Sequence, residues 1–305
     1  MTDSELLANL SKDVPGLKPL SEMTVNTYVS RLQMLTATTR KSIVESVTNV
    51  KRTYTRLQVK YQSSTTRKNV LTAVLAVFSR NPDFKSIHVT DYDAWQVRYK
   101  NLTLVEKARS QNNRASEKFK EAMIDIKETR EIAAAMKSDG LKSKEDSMDH
   151  LLLLMMVDMP PKRSDFGALK ASVKMLRSGN FVHMPKRGKM KLVMYEYKTF
   201  KTYGRFTEDL PKNVASALRQ SLADYPREYV FEQDNKPMNE HQYGRFVEKT
   251  FLRRVGKEAG INTIRHSYIT QMVDTKKMTI AEQHVVAASM CHSYEMQQKY
   301  VMVLV

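Results

Sequence analysis

The stretch from Asp146 to Asp165 reads DSMDHLLLLMMVDMPPKRSD. Its centre, Leu151 to Val157, is apolar without a break. A helix that is apolar on every side belongs inside a core, so the pattern predicts a buried helix over Asp146–Met159. Pro160-Pro161 ends it, because proline has no amide hydrogen to continue the helical ladder. Lys162 and Arg163 follow at once, with Ser164 and Asp165 behind them. The apolar run is too short to cross a bilayer. A globular core that delivers cations at the end of its central helix is the first expectation.

Downstream of this helix the texture changes. Leu169 to Leu176 reads as helix, and residues 181–184, 191–197 and 203–208 read as short strands. Pro185 to Gly188 makes the first turn between strands, and Val193, Tyr195 and Tyr197 share one face of the second strand. Between the second and third strands lies Lys198-Thr199-Phe200-Lys201-Thr202-Tyr203-Gly204. Helical pattern returns after Pro211 and again at about 240–258 and 263–274. A last apolar stretch through Val285, Val286 and Ala287 leads into Met290-Cys291-His292-Ser293, and Tyr300 stands near the end.

Upstream, residues 1–20 are polar and carry Pro15, Gly16 and Pro19, which reads as a mobile arm. Ser21 or Thr24 is a candidate cap for a helix to about Leu35, and a second helical stretch covers Arg40 to Lys60. Ser63 to Thr66 breaks the pattern and supplies the cap for a third helix, whose buried face is Val70, Leu71, Val74, Leu75, Val77 and Phe78. The first turn of that helix carries Arg67 and Lys68. Cations there oppose the helix dipole, so either a bound phosphate or plain solvation accounts for them. Another helix begins around Asp91–Tyr99, Ala108 to Ser116 reads as a linker, and Glu117 to Met136 is helical again. The domain expectation is an arm over 1–20, a helical domain over 21–115 and a second domain over 116–305. The fold class is mainly α with a small antiparallel β-sheet.

A chain of 305 residues is about right for two domains. Fifty Lys and Arg against 33 Asp and Glu give a net charge of +17. Windows 51–100 and 151–200 each hold ten cations and three carboxylates. A polyanion is the natural partner for that excess, and double-stranded DNA or RNA leads the field. The plainer alternative is a soluble basic protein with no such partner. One cysteine excludes a disulfide framework and a cysteine-based zinc cluster, and fits a reducing compartment. The remaining histidines have no metal-site spacing, so no metal and no cofactor are expected. No lipidation signal or separate basic amphipathic helix speaks for a membrane. Asp3 and Glu5 argue against a signal peptide, so the expected location is inside the cell, wherever its DNA is handled: a nucleus, a viral factory or prokaryotic cytoplasm.

Arg163, Lys198, Arg265, His292 and Tyr300 come in this order, each on a recognisable local frame. As an ordered set they resemble the tyrosine recombinases, the integrase family that shares its chemistry with type IB topoisomerases. Pro160-Pro161-Lys162-Arg163 looks like the family's first arginine, and the Lys198-Thr199 hairpin like its strand lysine. Asn262-Thr263-Ile264-Arg265-His266 looks like the His-x-x-Arg-His box. Met290-Cys291-His292-Ser293 followed by Tyr300 looks like the Gly-His-Ser and nucleophile block. In the detail of these boxes the chain looks closest to recombinases of large DNA viruses and eukaryotic mobile elements. The match spans about 160–300, and the helical first half is similar to the family's core-binding domain.

The resemblance implies metal-free and ATP-free cleavage and rejoining of DNA through a 3′-phosphotyrosine intermediate. Arg163 and Arg265 would hold the non-bridging phosphate oxygens in paired hydrogen bonds, and preorganised donors of this kind are worth about 3–4 kcal/mol each. Tyr300 would attack, although a phenol ordinarily ionises near pH 10 and needs help at pH 7. Lys198 would protonate the leaving 5′-oxygen, with Lys201 and Lys191 as competitors for that role. His292 would bond a phosphate oxygen, Asp165 would orient Arg163, and His266 would be structural. Backbone contacts to DNA are expected from Lys51, Arg52, Arg67, Lys68, Lys186, Arg187, Lys189 and Lys191. A tetramer on paired DNA sites is implied as well.

The chain also departs from the pattern. Asn262 stands where the family has a histidine; asparagine donates a hydrogen bond but cannot shuttle a proton. Cys291 stands where glycine is usual, and His292 to Tyr300 is one residue shorter than the commoner spacing. Each residue also has an ordinary reading: Arg163 as a cation at a helix end, His292 as a structural histidine, Tyr300 as a packing residue. Three functions follow: a DNA strand-exchange enzyme, a topoisomerase of the same chemistry, or a catalytically weak DNA-binding protein of the same fold.

Overall fold

A computed structural model describes residues 1–111, 115–273 and 278–302. The chain divides into two compact units, Met1–Asn112 and Asn113–Val305.

The first unit holds α1 (Asp3–Asn9), α2 (Glu22–Thr39), α3 (Ile43–Thr48), α4 (Val50–Lys60), α5 (Ser64–Arg80), α6 (Pro82–Ile87) and α7 (Val89–Gln111). Ser21 and Ser63 cap α2 and α5 through their side-chain oxygens. The core lies between α2, α5 and α7 and contains Leu32, Leu35, Val70, Leu71, Val74, Val77, Phe78 and Trp95. Two expectations are corrected here. The stretch from Arg40 to Lys60 is two helices broken at Asn49, because the Trp95 indole N–H donates to the Val47 carbonyl at 2.8 Å and Thr53 Oγ1 to the Ser46 carbonyl at 2.8 Å. The N-terminal arm is not loose over its whole length. Leu6 and Leu10 are fully buried, and the Asp3 carboxylate caps α3 by accepting from the Ile43 and Val44 amides at 2.7 and 3.1 Å. Arg80 adds a hydrogen bond to the Lys12 carbonyl at 3.1 Å.

The second unit contains α8 (Glu117–Ala122), α9 (Ile126–Ser138) and α10 (Lys144–Val157). A 3-10 turn (Ser164–Phe166) leads to β1 (Lys170–Ser172), β2 (Asn180–His183) and β3 (Lys191–Met194). Then come α11 (Phe200–Tyr203), β4 (Phe206–Asp209), α12 (Lys212–Asp224), β5 (Glu232–Gln233) and β6 (Lys236–Pro237). The unit closes with α13 (Glu240–Val255), α14 (Ile261–Met272), α15 (Ile280–Ser289) and α16 (Tyr294–Gln298). α10 is buried on all sides from Leu151 to Val157, as its sequence demanded, and packs on α9, α12 and α13. Its one deeply buried carboxylate, Asp149, accepts from Thr250 at 2.8 Å, Arg253 at 2.7 Å and Arg254 at 2.8 Å, so the charge is fully paired.

The sheet runs β1-β2-β3-β4. β2-β3 and β3-β4 are antiparallel, but β1 pairs with β2 in parallel, so the sheet is mixed. β1 corrects the helix expected over Leu169–Leu176. Val230 N donates to Leu169 O at 2.7 Å and Ala171 N to Glu228 O at 2.9 Å, so neighbouring chain takes a carbonyl and an amide that a helix would have used. The strand expected to start at 203 begins at Phe206, with α11 in front of it. The helix expected over Glu117–Met136 is broken at 123–125, where α14 side chains satisfy the backbone: Ser267 Oγ accepts from Ile124 N at 3.2 Å, and Gln271 Oε1 from Ile126 N at 3.0 Å.

Gly167, two residues beyond Asp165, is a close-approach position. A Cβ there would lie 2.4 Å from the Met238 carbonyl oxygen, so only glycine lets the turn after α10 lie against the chain leading into α13. Among the described residues no helix is long and apolar enough to cross a membrane.

Candidate active site

Pro160-Pro161 stops α10 and throws Lys162 and Arg163 across the end of the core. Arg163 lines an open cleft of about 760 Å³ together with Lys198, Tyr300, Lys118, Asn262 and Thr263. Arg265 and His292 are not among the residues that line it, but lie beside the Tyr300 ring. Arg265 is fully buried. Its guanidinium donates to the Pro161 carbonyl at 2.8 Å, to Met290 O at 3.5 Å and to His292 Nδ1 at 3.3 Å. Its carbon stands 5.2 Å from the centre of the Tyr300 ring.

These contacts fix the histidine. A guanidinium has only donors, so His292 Nδ1 accepts and the ring proton sits on Nε2. Nε2, Arg265 Nε and both amide atoms of Gln297 are buried polar atoms without a protein hydrogen-bond partner. Buried polar atoms are normally paired, and two of these, on Arg265 and His292, belong to side chains that lie beside the Tyr300 ring. The His292 ring lies 5.3 Å from the Tyr300 ring. Burial, and then the charges of Arg265 and Arg163, pull the His292 pKa down to about 4. The ring is therefore neutral at physiological pH.

This has a pH consequence. An unfolded histidine titrates near 6.5, and the folded ring near 4. Between those values the unfolded chain binds the extra proton. The stability associated with the neutral ring is complete above about pH 6.5 and is lost as pH falls toward 4, amounting to roughly 3 kcal/mol. Urea unfolding midpoints should drop across that window. His292→Asn should flatten part of the drop; the rest belongs to His150 and His266, whose pKa values burial also lowers. An undiminished slope in the variant would remove His292 as its source.

Tyr300 is held from the backbone side. His266 Nδ1 donates to its carbonyl at 2.9 Å, Tyr300 N donates to Gln297 O at 2.8 Å, and the His266 ring lies 4.4 Å from its ring. His266 thus grips the tyrosine segment directly. Asn262 is exposed at the mouth of the cleft, in the first turn of α14, whose N-cap Gly260 supplies no side-chain cap.

Lys198 is exposed in the turn after β3, and that turn is made by Asn180. Asn180 Oδ1 accepts from Tyr195 N at 3.0 Å and Glu196 N at 2.9 Å, while Nδ2 donates to Glu196 O at 2.6 Å and Asp165 O at 3.1 Å. The strand read over 191–197 therefore stops at Met194, and Tyr195 and Tyr197 leave the sheet. Lys201 sits on α11, exposed and outside the residues that line the cleft. Asp165 has its carboxyl pKa raised by burial and by Glu240, with Arg163 acting against both. Its backbone carbonyl accepts from Asn180 Nδ2 at 3.1 Å.

The C-terminal end of α15 joins these parts. Cys291 N donates to Ala288 O at 2.9 Å and His292 N to Ala287 O at 3.2 Å, the paired bonds of a Schellman ending. That ending needs a left-handed residue, and Cys291 takes it at φ 57°. This is where the family pattern has glycine. Cys291→Gly should raise stability by about 0.5–1 kcal/mol, since a side chain is strained there. Thermal melts would show a destabilised variant if the conformation carried no strain.

Of the other cations, Lys51 and Arg52 are exposed in the first turn of α4, and Lys186 and Arg187 are exposed in the β2-β3 turn. Lys189 and Lys191 are partly neutralised by Asp209, at 3.1 and 3.6 Å. Arg67 turns inward and donates to the Tyr61 carbonyl at 3.0 Å, and Lys68 lies 5.8 Å from the Tyr99 ring. Neither is a free cation at the helix end. Glu240, Glu248 and Glu258 also line the cleft. Sequence reasoning missed them, as it missed Lys162, Thr199 and Gln297. Among the described residues no group of three or more His, Cys, Asp or Glu is gathered for a metal.

No family model and no curated protein matches the chain by sequence. Solved structures do match. The XerA recombinase crystal structure covers 99% of this chain and 94% of its own at 16% identity, with a TM-score of 0.42. The Tn1549 transposon integrase, in complex with transposon right-end DNA, covers 100% of this chain and 96% of its own at 14% identity, with a TM-score of 0.56.

Proposed function

We propose that this chain, which has the tyrosine recombinase fold, is a DNA strand-exchange enzyme that cleaves and rejoins duplex DNA through Tyr300. The observation that carries the reading is the convergence on one phenol: Arg163 and Lys198 share its cleft, while Arg265 and His292 lie within 5.2 and 5.3 Å of its ring.

In this mechanism the scissile phosphate enters the cleft over Tyr300. Arg163 and Arg265 hold its non-bridging oxygens, and the charge they oppose grows as the phosphorus becomes five-coordinate. The neutral His292 donates its Nε2 proton in a hydrogen bond to the same group. The Tyr300 oxygen attacks the phosphorus as its proton passes to water in the open cleft, and the bond to the 5′-oxygen breaks. Lys198 gives that oxygen a proton, leaving a 3′-phosphotyrosine and a free 5′-hydroxyl. The phosphodiester energy is kept in the new ester, so rejoining is the reverse attack by a 5′-hydroxyl. Strand exchange follows if that hydroxyl comes from a second duplex, and tetramer assembly on paired sites is part of the proposal.

A second reading, a catalytically weak DNA-binding protein, draws support from Asn262 and from three carboxylates in the same cleft. Adduct capture separates the two. The full chain is mixed with a pool of nicked duplexes of random sequence, in excess chelator, and protein–DNA adducts are recovered after denaturation. Adducts with an enriched sequence are the expected result. DNA retained only without denaturation, with no adduct, would leave the binder. An adduct that required magnesium would contradict the cation roles given to Arg163, Lys198 and Arg265.

A further inference from the structure

Lys162 is the residue that neither the ordinary reading nor the mechanism uses. A lysine after a helix end belongs in water, yet this one is 1% exposed. Its ammonium donates to Glu208 Oε2 on β4 at 2.8 Å and to the Ser289 carbonyl, the last residue of α15, and lies 4.4 Å from the Phe206 ring. Burying an ammonium is costly even when it is paired, so stability alone is a weak account of a lysine at this position.

Ser289, Met290 and Cys291 have consecutive carbonyls at the end of α15. They accept from Lys162, from Arg265 at 3.5 Å and from Thr199 Oγ1 at 2.9 Å. One donor comes from the residue before Arg163, one is Arg265 itself, and one comes from the residue after Lys198. His292 follows the third carbonyl directly. The end of a helix attracts cations, because its last carbonyls lack helical partners and carry the negative end of the dipole. Burial pulls the Lys162 pKa down and Glu208 pushes it back.

We infer that Lys162 is a positioning residue: it ties the Arg163 turn and β4 to the carbonyl end of α15, and so fixes Arg163 and His292 relative to each other. The inference rests on the recombinase reading for its effect on cleavage, but the geometric role can be read without it.

The test compares Lys162→Met with the double variant Lys162→Met/Glu208→Leu. The single change takes the cation away from the half-buried Glu208 carboxylate, which is 23% exposed, and lowers stability. The double change removes both charges, and apolar replacement of an ion pair whose ammonium is buried often restores stability. Thermal melts, duplex affinity and single-turnover adduct formation are measured on the full chain. Positioning predicts that the double variant regains its melting temperature and keeps its duplex affinity, yet forms adduct about 100-fold more slowly, the cost typical of a reacting group displaced by an ångström. Recovery of the rate together with the melting temperature would overturn the inference and leave Lys162 a structural residue.

If the unaltered chain forms no adduct, the recombinase reading fails on its own. The His292 ring-nitrogen NMR signals then decide. Signals displaced in the refolded double variant support positioning, and signals at their original places overturn it. Should Lys162→Met not fold, Glu208→Gln keeps the ammonium but weakens one anchor. It should displace the same signals, and unmoved signals count against the inference.

Discussion

Tyr300→Phe should abolish adduct formation while leaving the protein folded and able to bind DNA. The substitution removes one oxygen. The ring stays within reach of His266, His292 and Arg265, at 4.4, 5.3 and 5.2 Å, so the packing that places the segment survives. The backbone grip of His266 on the Tyr300 carbonyl does not involve the phenol. Removing a nucleophile that acts within a coupled set costs about a million-fold, beyond the range of any gel assay. The measurement is single-turnover capture on the selected duplex, with affinity taken in parallel. An adduct at the unaltered rate would mean that another hydroxyl attacks, and Tyr203, 47% exposed on α11, would be the next to test.

Arg265→Lys should be the second largest loss, although charge is conserved. The guanidinium spans three acceptors on two separate segments: Pro161 before the Arg163 turn, and Met290 and His292 in the turn that ends α15. An ammonium is a point donor on a thinner stem and cannot reach all three in one plane. Losing one preorganised donor costs about 10²–10³ in rate, and the freed His292 ring adds to that because its tautomer is no longer fixed. Buried acceptors left unpaired lower stability by about 1–3 kcal/mol as well. The expected pattern is a fall in adduct formation of at least about 100-fold with duplex affinity nearly unchanged, since most affinity comes from backbone contacts elsewhere. An equal loss of affinity and rate would show that Arg265 serves binding alone.

What could be read from the chain in advance depended on how far away the deciding partner lies. The α10 segment was legible because seven apolar residues in a row leave no alternative to burial. Arg163, Lys198, Arg265, His292 and Tyr300 could be proposed as a set because each sits on a short frame: a double proline, a hairpin, a box, a block and a terminal tyrosine. β1 was not legible, because the spacing of Leu169 and Leu176 suits a helix and the strand is only three residues long, held by pairing with Glu228 and Val230 far along the chain. The N-terminal arm was misread because Pro15, Gly16 and Pro19 outweighed Leu6 and Leu10, which stand one helical turn apart. Lys162, Thr199 and Gln297 could not have been found this way. Each is polar and unremarkable alone, and takes its meaning from a carbonyl or ring supplied by chain far off in sequence. Asn262 and Cys291 were visible as departures, but only the φ of Cys291 gives one of them a physical account.

Asn180 has a consequence for how this chain can vary. One amide uses both of its hydrogens and both lone pairs to join the arginine turn to the lysine turn. Aspartate has no hydrogens to give, glutamine reaches too far, and apolar residues supply nothing. The two turns are therefore geared together, and an insertion in either one would be felt by the other through a single side chain. A change in the lysine turn that displaces Asn180 therefore also releases the Asp165 carbonyl, two residues beyond Arg163.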